Sequence, residues 1–306
     1  MESPRQSDFI KLHFIVFLWG FTAILGKELS LGVAQIVFLR TGIAALSLFF
    51  IVRWKKQSLQ LPPKAIIQLM LTGLVIAAHW VFFFESARIS TVSVCLAGVA
   101  TTTFWTSLLE PLANRRPIEW LQVYMGLIVI FGLYLIFQFE FNHALGLSFS
   151  LISAILAALF SVLNGKFTHK YTKYSISFYE MLGAALGLLF FTPLYRYFLL
   201  PEEPLLQIPT LRDWGLMLIL SLLCTVYAFT VTVDILKRIS AFMVNLTINL
   251  EPVYGIILAL LIYGEAEEMS SGFYWGTLVI LLVVLAYPIL NKIRHRKIKV
   301  KTTGLT

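Results

Sequence analysis

Ten long apolar stretches separated by short polar connections fill the chain, over approximately residues 9–26, 34–52, 65–87, 91–112, 120–138, 144–165, 176–198, 213–234, 241–263 and 273–291. Each is close to the roughly 20 apolar residues that a helix needs to cross a hydrocarbon core of about 30 Å. The pattern predicts ten transmembrane helices. The longest connection, 199–212, is too short for a soluble domain and is punctuated by Pro201, Pro204 and Pro209. The first stretch reads as a retained span, because its apolar run is long, has no small-x-small cleavage site and opens a periodic series.

One short signature appears twice, as Arg88-Ile89-Ser90 and Arg238-Ile239-Ser240, with five spans between the copies. A unit with an odd number of crossings must return upside down, so the expected fold is all-α, two inverted five-helix repeats. An offset of 150 that superposes the signatures also places Gly126 on Gly276. Earlier in each half the offset is 140, bringing Phe38, Arg40 and Ala44-Ala45-Leu46 onto Phe178, Glu180 and Ala184-Ala185-Leu186. An insertion in the 199–212 connection accounts for the difference. The predicted units are a first repeat over 1–140, a second over 141–292 and a basic tail over 293–306.

Composition agrees, with 58% hydrophobic and 13% charged residues among 306. The formal charge of +8 is a matter of topology. With the N-terminus inside, nineteen of the 24 Lys and Arg residues fall on the inner side, and only Lys27, Arg88, Arg196 and Arg212 on the outer. Cytoplasmic loops collect positive charge, so both termini are expected to be cytoplasmic, and nucleic acid is not needed to explain the basic balance. The partners expected are a small-molecule substrate and membrane lipids, the tail from Lys292 to Lys301 being suited to anionic headgroups. A monomer and a homodimer both fit.

Polar residues inside the spans are costly and mark candidate chemistry. Glu251 lies near the middle of the ninth span, and Pro252 after it leaves the Ile248 carbonyl without its helical donor. On that helix Asn245, Asn249 and Pro252 share one face, and Thr247, Glu251 and Tyr254 share nearly the opposite one. Asn245, Asn249 and Glu251 are candidates for the substrate cavity, Glu251 binding substrate or a proton, against its plainer role of an interhelical hydrogen bond. Arg40 and Glu180 occupy equivalent places in the two halves and are expected near opposite leaflets. Glu85 is the natural partner for Arg40, and Lys237 or Arg238, with Asp234 beside them, for Glu180. These clusters are candidate alternating gates or static ion pairs.

Four tryptophans, Trp54, Trp120, Trp214 and Trp275, sit at span ends and fit the interfacial belt. Trp19, Trp80 and Trp105 lie deep, where they line a cavity with His79, Phe83 and Tyr227 or simply pack between helices. His79 either carries a proton or makes an interhelical hydrogen bond. Gly183 with Gly187, Gly98 with Thr102, and Ala154 with Ala158 read as close-packing seams, and Cys95 and Cys224 as small apolar fillers. Gly20 to Gly26-Lys27 has the wrong spacing for a phosphate loop, and Asn245-Leu246-Thr247 lies within a span, where it is no glycosylation acceptor. No metal-ligand spacing or nucleophile-and-base pair is evident, so neither a metal nor a cofactor is expected.

The stretch Leu236-Lys237-Arg238-Ile239-Ser240-Ala241, then Asn249-Leu250-Glu251-Pro252 and Gly264-Glu265, with His79-Trp80, Phe82-Phe83-Phe84 and Trp19-Gly20, resembles the ten-span EamA branch of the drug/metabolite transporter superfamily over nearly the whole chain. The chain departs from that pattern at the end of the fourth span, with Asn114-Arg115 where the family often repeats Gly-Glu. The resemblance implies a secondary transporter, not an enzyme, that exports small metabolites across the bacterial inner membrane by alternating access. It also implies a central cavity formed mainly by spans 1, 3, 4, 6, 8 and 9. Aromatic surface with few charges suits a small zwitterion such as an amino acid, and with no ATPase motif, uphill transport needs an ion gradient, proton antiport through Glu251 being one route. The competing readings are a membrane-embedded lipid-modifying enzyme using Glu251 and His79 as acid and base, and a drug or nucleotide-sugar transporter of the same superfamily.

Overall fold

The computed structural model describes residues 3–139, 143–199, 206–264 and 270–303. Pro201, Pro204 and Glu265, singled out above, lie outside them. Among the described residues every regular element is helical. The elements are α1 (Gln6–Gly20), α2 (Thr22–Glu28), α3 (Val33–Trp54), α4 (Pro63–Ile89), α5 (Val92–Val99), α6 (Thr102–Asn114), α7 (Trp120–Phe139), α8 (Ala144–Phe167) and α9 (Lys173–Leu199). After these come α10 (Leu211–Leu218), a π-helical segment (Ile219–Tyr227), α11 (Ala228–Ile235), α12 (Ala241–Ile248), α13 (Glu251–Tyr263) and α14 (Ser271–Thr303). Eight helical stretches are long and apolar enough to cross a membrane by length and composition. Two shorter apolar ones, Trp120–Gly132 and Tyr274–Tyr287, lie where the fifth and tenth spans were expected. Helix α14 runs on to Thr303, through the segment read as a tail.

Several expected spans are not continuous helices, and their local sequence explains why. The first breaks at Phe21, whose N–H reaches back only three residues to the Leu18 carbonyl, while the Thr22 hydroxyl donates to the Trp19 carbonyl at 2.8 Å. The fourth breaks at Ala100-Thr101, where Thr101 and Thr102 hydroxyls donate to the Gly98 and Val99 carbonyls, each at 2.7 Å. Hydroxyls that compete for helix carbonyls bend the helix that carries them. The ninth breaks at Asn249-Leu250, just ahead of Pro252 in the first turn of α13. Ala100 and Leu250 are 150 apart, the offset of the repeated signature. The two halves therefore interrupt equivalent helices at the same place.

Both signature copies lie at a helix junction, the first at the end of α4 just ahead of α5 and the second in the turn between α11 and α12. Thr91 caps α5 through the Val94 N–H at 3.1 Å, and Ser240 caps α12 through the Met243 N–H at 3.3 Å, side-chain caps each worth about 1 kcal/mol. The arginines both reach the first span, from opposite ends. Arg88 donates to the Gly26 and Leu29 carbonyls at 3.1 and 2.9 Å, at the end of α2. Arg238 makes a two-pronged bond to Asp8 at the start of α1, at 2.8 and 3.0 Å.

Helix α4 is the central strut, packed between α8 and α9, while α7 and α14 pair at one side. Its crossing with α9 is nearly backbone on backbone: a Cβ on Gly73 would lie 2.1 Å from the Glu180 carbonyl oxygen, and one on Gly183 2.4 Å from the Met70 oxygen. The small-residue seam read at Gly183 and Gly187 is this contact. Large apolar side chains such as Phe50, Phe190 and Leu261 stay exposed on the outside, as lipid-facing residues do. Gly73→Ala is expected to cost about 1–3 kcal/mol through overpacking. Gly42→Ala, with nothing within 4 Å of the added atom, is expected to cost nothing. Thermal unfolding of the two variants in detergent checks this, and equal stabilities would refute the tight crossing.

Candidate functional site

The broken helices meet around an interior cavity of about 90 Å³. Six of the nine residues expected to line it do so: Trp19, His79, Trp80, Phe83, Asn245 and Glu251. The other three face elsewhere. Tyr227 is half-exposed with its ring edge on Phe14, Trp105 packs against Phe104 with its indole N–H buried and unpartnered, and Asn249 is buried, donating to Thr103 at 2.8 Å. The break at Asn249-Leu250 brings both Asn245 and Glu251, which an unbroken helix would carry on nearly opposite faces, to the wall. Thr22, Thr102, Phe160, Ser161, Asn164, Phe229 and Thr232 also line it and were not foreseen.

Arg40 is buried in the wall, so the second span joins those expected. Its guanidinium lies over the Trp80 ring at 3.8 Å, its Nε donates to the Thr225 hydroxyl at 2.6 Å, and its Nη2 reaches toward the Cys224 carbonyl at 3.5 Å. That carbonyl also accepts from the Trp19 indole at 2.9 Å. Thr225 and Cys224 belong to the π-helical segment, whose wider turn is common at functional sites. Pairing of Arg40 with Glu85 is therefore corrected. Trp80 and Phe84, one turn apart, present the face of α4 that meets Arg40, whereas Glu85 sits in a separate apolar recess with Phe82, Phe149 and Leu188.

Glu251 lines the same cavity as Arg40, and among the described residues the two are not in ion-pair contact. His79 is anchored by Ser153, whose carbonyl lies 2.9 Å and hydroxyl 2.7 Å from Nδ1. A carbonyl only accepts, so Nδ1 carries the hydrogen and the neutral ring offers Nε2 as acceptor. The interhelical hydrogen bond expected of His79 is thus present. Asn245 donates to Thr106 at 2.8 Å and accepts from Ser161 at 3.3 Å, tying α12 to α6 and α8.

The second expected ion pair is also corrected. Glu180 is fully buried and meets Asn164, whose Nδ2 donates at 3.3 Å, rather than Lys237 or Arg238. Arg238 is taken by Asp8 and by Asp234 at 2.8 Å, and Lys173 lies 3.6 Å from Asp234. Its hydrogen bonds to Asp8 raise the Arg238 pKa above the usual guanidinium range. Asp8 precedes the first apolar run, which is why depth alone did not suggest it. Lys237 is half-buried beside this cluster. Glu110, the acid near the end of the fourth span, accepts from the Ala241 and Phe242 N–H groups at 3.2 and 2.8 Å, so it caps α12.

Residues 10–138 and 144–287 each match the model of the EamA-like transporter family. The chain belongs to the EamA-like transporter family. The two EamA matches are successive copies of one unit, which is the two-repeat architecture. A crystal structure of another protein is similar in fold, with a TM-score of 0.70 at 14% identity, over 94% of this chain and 99% of that one. None of the curated proteins matches the chain. EamA membership makes the protein an integral membrane transporter whose substrate is a small molecule.

If the cavity is wet, cysteines in its wall will react with a small water-soluble methanethiosulfonate. In a background with Cys95 and Cys224 replaced by alanine, Ser161→Cys and Thr232→Cys are expected to label, and Ser93→Cys and Ser107→Cys, buried away from the wall, are not. Equal labelling of both sets would contradict the assigned wall.

Proposed function

We propose that the chain is a secondary transporter that moves small zwitterionic metabolites, amino acids first among them, outward across the bacterial inner membrane by alternating access. The observation that carries this reading is that Arg40 and Glu251 line one cavity without being paired to each other. A fixed guanidinium and a fixed carboxylate set apart in an aromatic enclosure match the two ends of an amino acid. Arg40 has donors beyond those given to Thr225 and Cys224 for a ligand carboxylate. Glu251 receives the ammonium, in a cavity that also presents the rings of Trp19, Phe229 and Phe160. His79 Nε2 is a further acceptor.

In this reading the chain crosses the membrane ten times as two inverted halves, 1–140 and 141–292, with both ends and the tail from 293 in the cytoplasm. The charge distribution along the connections and the break repeated at Ala100 and Leu250 support it. The outward direction and the inner membrane come from the family resemblance. Reporter tags at both termini read as cytoplasmic under this topology; tags on opposite sides would end it.

Purified protein in liposomes, given a panel of radiolabelled metabolites, tests the substrate class. Amino acids should move, and lipid or sugar-nucleotide substrates should not. A charge-assisted hydrogen bond is worth about 1.5–3 kcal/mol, so Arg40→Gln should weaken amino acid binding by roughly 10- to 100-fold. Glu251→Gln should weaken it as well, yet leave binding of the matching 2-hydroxy acid, which lacks the ammonium, unchanged. If Glu251→Gln weakens both ligands equally, the carboxylate does not read the ammonium.

A further inference from the structure

The fully buried Glu180 is an intramembrane carboxylate that the substrate cavity does not use. It stands on α9, where that helix crosses α4. Among the described residues no cation lies within ion-pair distance of it. The charged groups on the elements packed around it are committed elsewhere. On α3, Arg40 is seated on Thr225 and Trp80, and Arg53 is in the last turn. On α4, His79 is held by Ser153, Arg88 by the end of α2, Glu85 lies in its own recess and Lys64 is in the first turn. On α11, Asp234 is held by Arg238 and Lys173, and on α8, Lys166 bonds the Ala113 carbonyl. On α9 itself, Tyr179 donates to the Leu59 carbonyl.

What Glu180 does have is Asn164, and their hydrogen-bond tally is short by one hydrogen. Asn164 Nδ2 donates to Oε2 at 3.3 Å. The remaining carboxylate oxygen, Oε1, and the amide oxygen, Asn164 Oδ1, are both buried and both lack a partner. Two acceptors belonging to one side-chain pair cannot satisfy each other. A single proton on Oε1 turns it into a donor, gives Oδ1 a hydrogen to accept, and removes an uncompensated charge from a low-dielectric interior. A carboxylic acid and a carboxamide are complementary in this way: each offers one donor and one acceptor side by side. A metal cation is a poorer fit, because these two oxygens, even with the buried and unpartnered Ser177 hydroxyl one turn earlier on α9, fall short of the six or more that hard cations take.

We propose that Glu180 and Asn164 form a proton-binding site, distinct from the Arg40 and Glu251 of the substrate cavity, through which the transport cycle draws on a proton gradient. Asn164 joins the two, since it also lines the cavity. A proton held here closes the Glu180–Asn164 pair and fixes α9 against α8. Its release leaves a bare carboxylate that must reach water, which requires these helices to part. The coupling role rests on the transport reading given above, whereas the proton site itself does not.

The site is tested first without any substrate. Infrared difference spectra of the purified full-length protein at neutral pH should show a carboxylic-acid carbonyl band that disappears in Glu180→Gln and shifts in Asn164→Ala. Because glutamine supplies both the donor and the acceptor that the protonated acid supplies, Glu180→Gln should fold, and its thermal stability should respond less to rising pH than that of the wild type. A wild type without the band, or with a band that survives Glu180→Gln, overturns the site. In liposomes offered a radiolabelled amino acid mixture, Glu180→Gln should keep exchange at equal pH and lose accumulation driven by a pH gradient. Undiminished gradient-driven accumulation overturns the coupling. Should the wild type move no amino acid at all, the substrate reading fails and the infrared band alone decides the proton site.

Discussion

A guanidinium cannot be left bare in hydrocarbon, and the way this protein seats Arg40 organises much of its interior. Arg40 comes from α3, Trp80 and Phe84 beneath it from α4, and its hydrogen-bond acceptors from the π-helical segment. Trp19 of α1 converges on the same Cys224 carbonyl. Four separate spans are thus fixed around one charge. The π segment belongs to this seat: its Thr225 hydroxyl both donates to the Leu220 carbonyl, five residues back, and accepts from Arg40. A single buried charge thereby determines where the cavity wall stands and leaves donors of its own for a ligand.

The repeat extends to the helix breaks but not to the chemistry beside them. The interruptions at Ala100 and Leu250 are equivalent, as are Arg88 and Arg238, yet Arg40 is matched by Glu180 in the other half. One half provides a permanent positive charge supported by an aromatic face and hydroxyl. The other provides an acid with a carboxamide for company. A duplicated scaffold with a basic residue at one position and an acidic residue at its equivalent gives two unlike surroundings on one shared frame.

Depth was legible in the sequence and azimuth was not. Hydropathy and the placement of lysine and arginine gave the all-helical class and the repeat, because both depend on position along the membrane normal. The cavity aromatics Trp19, Trp80 and Phe83, with His79 and Glu251, could be read for the same reason: polar or amphipathic groups too deep to reach water need an interior wall. Partner choice depends on helix rotation, and there the expectations failed. Glu85 is at a suitable level for Arg40 but is turned toward α8 and α9, and Arg238 finds Asp8, which belongs to a different span from the one expected. Trp105 and Tyr227 missed the wall for the same reason. The π segment left no mark in a run as ordinary as Ile219-Leu220-Ser221-Leu222-Leu223, whereas Asn164, a carboxamide alone in an apolar helix, was a signal available and not used.

The two copies of the signature arginine hold one and the same span, Arg238 through Asp8 at its beginning and Arg88 through Gly26 and Leu29 at its finish. Between these anchors lies the joint at Phe21, with Trp19 and Thr22 of the cavity wall on either side of it. A rod pinned at both extremities can neither slide nor tip as a whole. Whatever strain the surrounding helices put on it therefore falls on its elbow, which stands between two residues of the chamber wall.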